Sequence, residues 1–147
     1  MSKTEEAAQR LLVEYRILEG SLQVMQSRFD IINAALNDLA VAYATVEGLR
    51  EKQEGTETLI PVGAGSFIKT TLKDMNRIIM GVGSGVCVEK SVDDCLLEFK
   101  SRQSELEKAK ATLEGNMGEN VRQLEQRRQR LSELVERQRG ASPGVVR

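Results

Sequence analysis

The chain has 147 residues, 29% of them charged and 40% hydrophobic, yet only three Phe, two Tyr and no Trp. That is too little bulky apolar material for a layered globular core, and it suits long helices with a narrow apolar stripe. Lys and Arg total 21 against 22 Asp and Glu, so no net field draws nucleic acid or an anionic membrane, and the absence of His leaves two Cys short of a metal site.

Residues 1–10 are polar and acidic, without the apolar segment of a secretory leader, and no apolar run is long enough to span a membrane, so a soluble, cytoplasmic protein is expected. From Leu11, alternating steps of four and three pass through Leu11, Tyr15, Leu18, Leu22, Met25, Phe29, Ile32, Leu36, Leu39, Tyr43 and Val46, every one apolar or aromatic. This heptad seam predicts a coiled-coil helix over residues 5–53, about 70 Å long at 1.5 Å per residue.

Over residues 58–90 the period changes to two. Short β-branched runs at 58–62, 66–72, 77–82 and 86–90 are separated by Gly63-Ala64-Gly65, Lys73-Asp74-Met75-Asn76 and Gly83-Ser84-Gly85, which predicts two β-hairpins. Pro61 lacks an amide hydrogen and belongs at an edge or a strand end. Ile60, Val62, Phe67, Ile68, Ile78, Ile79, Met80, Val86 and Val88 form apolar faces that four short strands cannot bury alone. Another subunit is expected to cover them.

A second heptad run, predicted as a helix over residues 91–139, passes through Val92, Leu96, Phe99, Leu106, Leu113, Met117, Leu124, Leu131 and Leu134, with Gln103, Lys110, Asn120 and Arg127 as polar interruptions that disfavour other registers. Ser91-Val92-Asp93-Asp94 opens it as a capping box. Gly115 and Gly118 flank Met117 and cost about 1 kcal/mol each against Ala, so this helix should be weakest near its middle. Residues 140–147 have no periodicity and are expected to be a disordered tail. Folding the two runs back on each other places Val46 beside Phe99 and Leu11 beside Leu134. The expected fold is therefore α+β: a long antiparallel coiled-coil helical hairpin with two small β-hairpins at its base.

The glycine-rich segments 63–66 and 81–85 lack the Lys and the Ser or Thr of a phosphate loop and read as hairpin turns. Carboxylates lie only along solvated helix faces, so no catalytic constellation, metal site or cofactor site is visible. Arg122, Arg127, Arg128, Arg130, Arg137 and Arg139 are interleaved with Glu125, Glu133 and Glu136, without an aromatic to stack on bases, and read as a solvated face.

Leu59-Ile60-Pro61-Val62-Gly63-Ala64-Gly65-Ser66-Phe67-Ile68, followed by Ile79-Met80-Gly81-Val82-Gly83-Ser84-Gly85-Val86-Cys87-Val88-Glu89-Lys90, resembles the prefoldin alpha-subunit family in its archaeal form. With the flanking heptads the resemblance covers roughly residues 5–139; Cys87 stands where an aromatic is often found. The resemblance implies a hexamer of two alpha and four prefoldin beta subunits, with the hairpins joining an oligomeric β-barrel platform. It also implies capture of unfolded client proteins at the arm tips and transfer to a group II chaperonin, without nucleotide hydrolysis. The tip residues would be Leu11, Leu12, Tyr15, Leu131, Leu134 and Val135, which serve equally as a continuation of the seam. Two other readings are a scaffolding coiled coil with no client-holding activity and a nucleic-acid-associated coiled coil using the distal arginines. The central hairpins disfavour both.

Overall fold

A computed structural model describes residues 2–141, in the order α1 (Lys3–Arg50), β1 (Glu57–Gly63), β2 (Ser66–Thr71), β3 (Arg77–Gly83), β4 (Val86–Ser91) and α2 (Val92–Ala141). Two compact units are formed: Ala34–Glu107 is one, and the chain up to Asn33 together with that from Lys108 onward is the other. α2 runs through Gly140 and Ala141, the first two residues of the stretch expected as a tail, and 142–147 lie outside the described residues.

α1 begins on a reciprocal capping box: the Ser2 amide donates to Glu5 Oε2 at 3.1 Å and the Glu5 amide to Ser2 Oγ at 3.2 Å. The Asp94 amide donates to Ser91 Oγ at 3.1 Å, capping α2 as its sequence predicts. All eleven seam positions from Leu11 to Val46 are half-buried or buried, whereas the residues between them are mostly exposed. A 3.5-residue apolar period is buried when a second helix lies along it. In one unit that antiparallel pairing brings Arg127 to Glu14 and Lys110 to Phe29; in the other it brings Lys100 to Tyr43 and Arg50 to Asp93.

The polar interruptions of the second seam find distinct partners. The Lys110 ammonium lies 5.3 Å from the Phe29 ring centroid, and Arg127 Nε donates to Glu14 Oε2 at 3.1 Å. Gln103 turns outward and donates to Glu107 Oε1 at 3.2 Å. Asn120 is 5% exposed, and its Oδ1 has no hydrogen-bond partner among the described residues.

β1 pairs with β2 and β3 with β4, both antiparallel, giving two separate two-stranded sheets. The hairpins are geometrical copies. Ala64 and Gly65 have φ of 50° and 72°, and Ser84 and Gly85 have 52° and 74°. Two consecutive positive φ values are what a tight turn matched to the twist of its strands requires. Each first strand carries one extra residue, at Val62 or Val82, where the register shifts between Pro61 and Gly63 or between Gly81 and Gly83.

What differs is their support. The core of the Ala34–Glu107 unit consists of Val46, Met80, Val92, Cys95 and Leu96, flanked by Tyr43, Ile78 and Phe99. The second hairpin supplies Met80 to this cluster, and Arg102 Nη2 fastens it by donating to the Gly81 carbonyl at 2.9 Å. The first hairpin contributes nothing to the cluster; its base is held by backbone bonds from the Gly55 amide to the Leu72 carbonyl (2.7 Å) and from the Leu72 amide to the Thr56 carbonyl (2.9 Å).

Candidate functional site

Along a strand, successive side chains face opposite sides, and this sorts the nine residues expected at a subunit surface. On the first hairpin, Ile60, Val62, Phe67 and Ile68 are all exposed. On the second, Ile79 and Val86 are exposed, Ile78 and Val88 are half-buried, and Met80 retains 3% exposure. The expectation for Met80 is corrected: it pairs with Val88 in register and lies in the chain's own core, where it anchors the hairpin. Ile78 packs against the same core. The uncovered surface of the strands thus consists of the first hairpin and the outward face of the second, and among the described residues each strand has one edge without a ladder partner. Such edges and faces are stable when other strands complete them.

The six tip residues lie in the other unit. Leu11, Tyr15, Leu131 and Leu134 are half-buried in the seam, while Leu12 and Val135 point outward and are exposed. Two of the six, Leu11 and Leu134, line an open cleft of about 710 Å³ as its apolar part, together with charged residues that include Lys3, Arg10, Glu133 and Arg137; Leu12, Tyr15, Leu131 and Val135 do not line it. An apolar strip with charges of both signs can hold an extended peptide by side-chain burial and backbone solvation at the rim, without selecting its sequence.

Three of the six distal arginines are engaged by carboxylates. Arg122 lies 2.7 Å from Glu119, Arg128 lies 2.5 Å from Glu125, and Arg127 bonds Glu14. Hydrogen bonds from Arg122 and then Gln123 hold the Glu119 carboxyl below its usual range, and a bond from Arg128 does the same for Glu125. Among the described residues no group of three or more His, Cys, Asp and Glu could hold a metal ion. Among the described residues no helix is long and apolar enough to cross a membrane. Cys87 is exposed and Cys95 is completely buried, and burial pushes the Cys95 thiol up.

Three elements of this architecture escaped the sequence reading. Ser2 and Glu5 have the spacing of a capping box and were legible. Cys95 and Arg102 were not, because each acquires its role only when the second hairpin folds onto α2.

Two long coiled-coil helices bearing paired hairpins with uncovered edges define a subunit-type fold, one that other chains complete. A family model described as "Prefoldin subunit" matches residues 18–137. The chain is 28% identical over 139 residues to a prefoldin subunit alpha of Pyrococcus horikoshii, covering 94% of both chains. It is 34% identical to that of Thermococcus onnurineus, over 71% of this chain and 72% of the relative. With the prefoldin subunit alpha of Methanopyrus kandleri it shares 33% identity, over 73% of this chain and 68% of the relative. A cryo-EM structure of filamentous PFD from Methanocaldococcus jannaschii shares the fold, with a TM-score of 0.67 at 20% identity over 76% of this chain and 93% of that one. The chain belongs to the prefoldin subunit family, a family of chaperone subunits.

Proposed function

We propose that this chain is the alpha-type subunit of a cytoplasmic, ATP-independent holding chaperone. It assembles with prefoldin beta subunits as two alpha and four beta chains, holds unfolded proteins at the ends of its coiled-coil helices, and passes them to a group II chaperonin. One observation carries the reading: the hairpins leave apolar side chains exposed, while half-buried Leu11 and Leu134 line an open cleft, and these two features fall in different units. The hairpins, with open ladders, serve assembly. The cleft, with an apolar floor and a mixed-charge rim, serves a varied and extended ligand. Each client side chain buried there contributes about 1.5–3 kcal/mol before ordering costs, so several such sites on one particle bind by avidity.

The test separates the two surfaces. Changing Phe67 and Ile79 to Asp places charge where another strand must pack and should abolish assembly with the beta-type partner, read as native mass. Changing Leu11, Leu12, Leu131 and Leu134 to Ser should leave that mass unchanged and weaken suppression of aggregation of a diluted, denatured client. The loss should be partial, because the beta-type chains retain their own ends. Undiminished protection of several large clients by the second variant refutes the holding role.

A further inference from the structure

α1 carries a second heptad stripe. Val13, Ile17, Gly20, Val24, Ser27 and Ile31 follow one another in steps of four and three on the face turned away from the seam, without a charge among them. All six are exposed, Val13, Ile17, Val24 and Ile31 to more than half, and a Cβ placed on Gly20 would meet nothing. The corresponding outward stripe of α2 is polar, running through Thr112, Glu119, Arg122, Gln126, Gln129 and Glu133. An exposed face repeating every 3.5 residues has the period of a helix-packing surface.

The residues flanking this stripe identify what fits it. Consider the stretch laid antiparallel against itself so that Gly20 faces Val24. Ser27 then faces Ile17 and Val13 faces Ile31, each pair occurring twice by symmetry, and two of the three distinct layers place a small residue against a β-branched one. Such alternation lets two helices interdigitate without voids. The same register brings Arg16 beside Asp30 of the other copy on one flank, and Glu14 beside Arg28 on the other, again twice each. Gln23 and Ser21 meet their own counterparts at the centre. A parallel alignment instead stacks Gly20 on Gly20 and Ser27 on Ser27 and sets Arg16 near Ser21 and Asp30 near Ala35, leaving gaps and no opposite-charge pair.

Within the chain, Arg16, Arg28 and Asp30 are exposed and form no ion pair among the described residues. Glu14 Oε2 accepts Arg127 Nε, and Oε1 has no partner among the described residues. A two-fold interface uses one patch twice, so it requires the kind of self-complementarity present here.

We propose that this face of α1 is a docking surface for the same face of a second copy of this chain, antiparallel and two-fold symmetric about the Ser21–Gln23 region. It is separate from the hairpin surface and links particles that the hairpins have already assembled. Because the contact is small and flanked by surface ion pairs, it is weak and salt-sensitive, forming as concentration rises and dissolving in high salt.

The experiment uses the full chain in its assembled form, with Cys87→Ser to remove the exposed thiol. Sedimentation across the micromolar range should show the basic particle associating further at low salt. The surface substitutions Ile17→Lys and Val24→Lys should leave the basic particle intact and weaken its association about 100-fold or more. Arg16→Asp alone should weaken it, and adding Asp30→Arg should restore it. Under oxidation, particles carrying Arg16→Cys should cross-link to particles carrying Asp30→Cys when mixed, and neither should cross-link to itself. A mass independent of concentration, self-linked Arg16→Cys chains, failure of the charge swap to rescue, or collapse of the basic particle on Ile17→Lys would each overturn the proposal.

Discussion

The two hairpins differ at one position in a way that sets a measurable contrast. Met80 and Ile60 occupy equivalent sites, third residue before the glycine that opens the turn, yet Met80 is 3% exposed and Ile60 is 50% exposed. Met80→Ala removes three heavy atoms from a cluster of only five buried side chains. Large-to-small core changes of this kind cost about 2–5 kcal/mol; the cluster lies beneath a hairpin that can settle onto the gap, which favours the lower part, about 2–3 kcal/mol. For a chain of this size that lowers Tm by roughly 5–10 °C. Ile60→Ala removes side chain already half in water, and its direct cost is about 1 kcal/mol or less. The assay is thermal and denaturant unfolding followed by circular dichroism at several protein concentrations. The Met80→Ala loss should be the same at every concentration, because it lies within one chain. Any larger effect of Ile60→Ala should shrink as concentration rises, since it acts through association. Equal, concentration-independent losses from both variants would refute the assignment of the first hairpin to an intermolecular surface.

Asn120→Leu should raise stability by about 1–2 kcal/mol, since it removes a buried acceptor without a partner; a destabilised variant would show that the side chain is bonded in solution. Arg102→Ala should cost about 1 kcal/mol through the lost bond to the Gly81 carbonyl and should speed amide exchange in the second hairpin more than in the first. In the native protein one thiol, Cys87, should react promptly with a thiol reagent and Cys95 only on unfolding. Because burial raises the Cys95 thiol's pKa, the folded state holds this proton where the unfolded state releases it, so stability should fall as pH climbs above the ordinary thiol range. Equal alkylation rates for both cysteines would contradict the packing of α2 against the second hairpin.

Both helices, both hairpins and their turns were legible in the chain's own residues, because each rests on short-range rules. The 3.5-residue repeat from Leu11 to Val46 needs only backbone geometry to become a stripe. Gly63-Ala64-Gly65 and Gly83-Ser84-Gly85 need only the steric freedom of glycine to reverse a strand, and Ser91 needs only a free amide three residues on. The apolar residues of the strands were likewise identified as needing cover. Tertiary structure alone decided which cover each received. Nothing local distinguishes Met80 from Ile60, or marks Cys95 as the most buried side chain and Arg102 as a clamp, because those roles depend on one hairpin lying against α2 while its copy does not. The fates of Lys110, Arg127 and Asn120, three polar residues of the same seam, diverged for the same reason: a ring, a carboxylate, or no partner happened to stand across the helix pair. Periodicity specifies which face of an element is apolar, and burial then depends on what arrives from elsewhere in the chain to meet it.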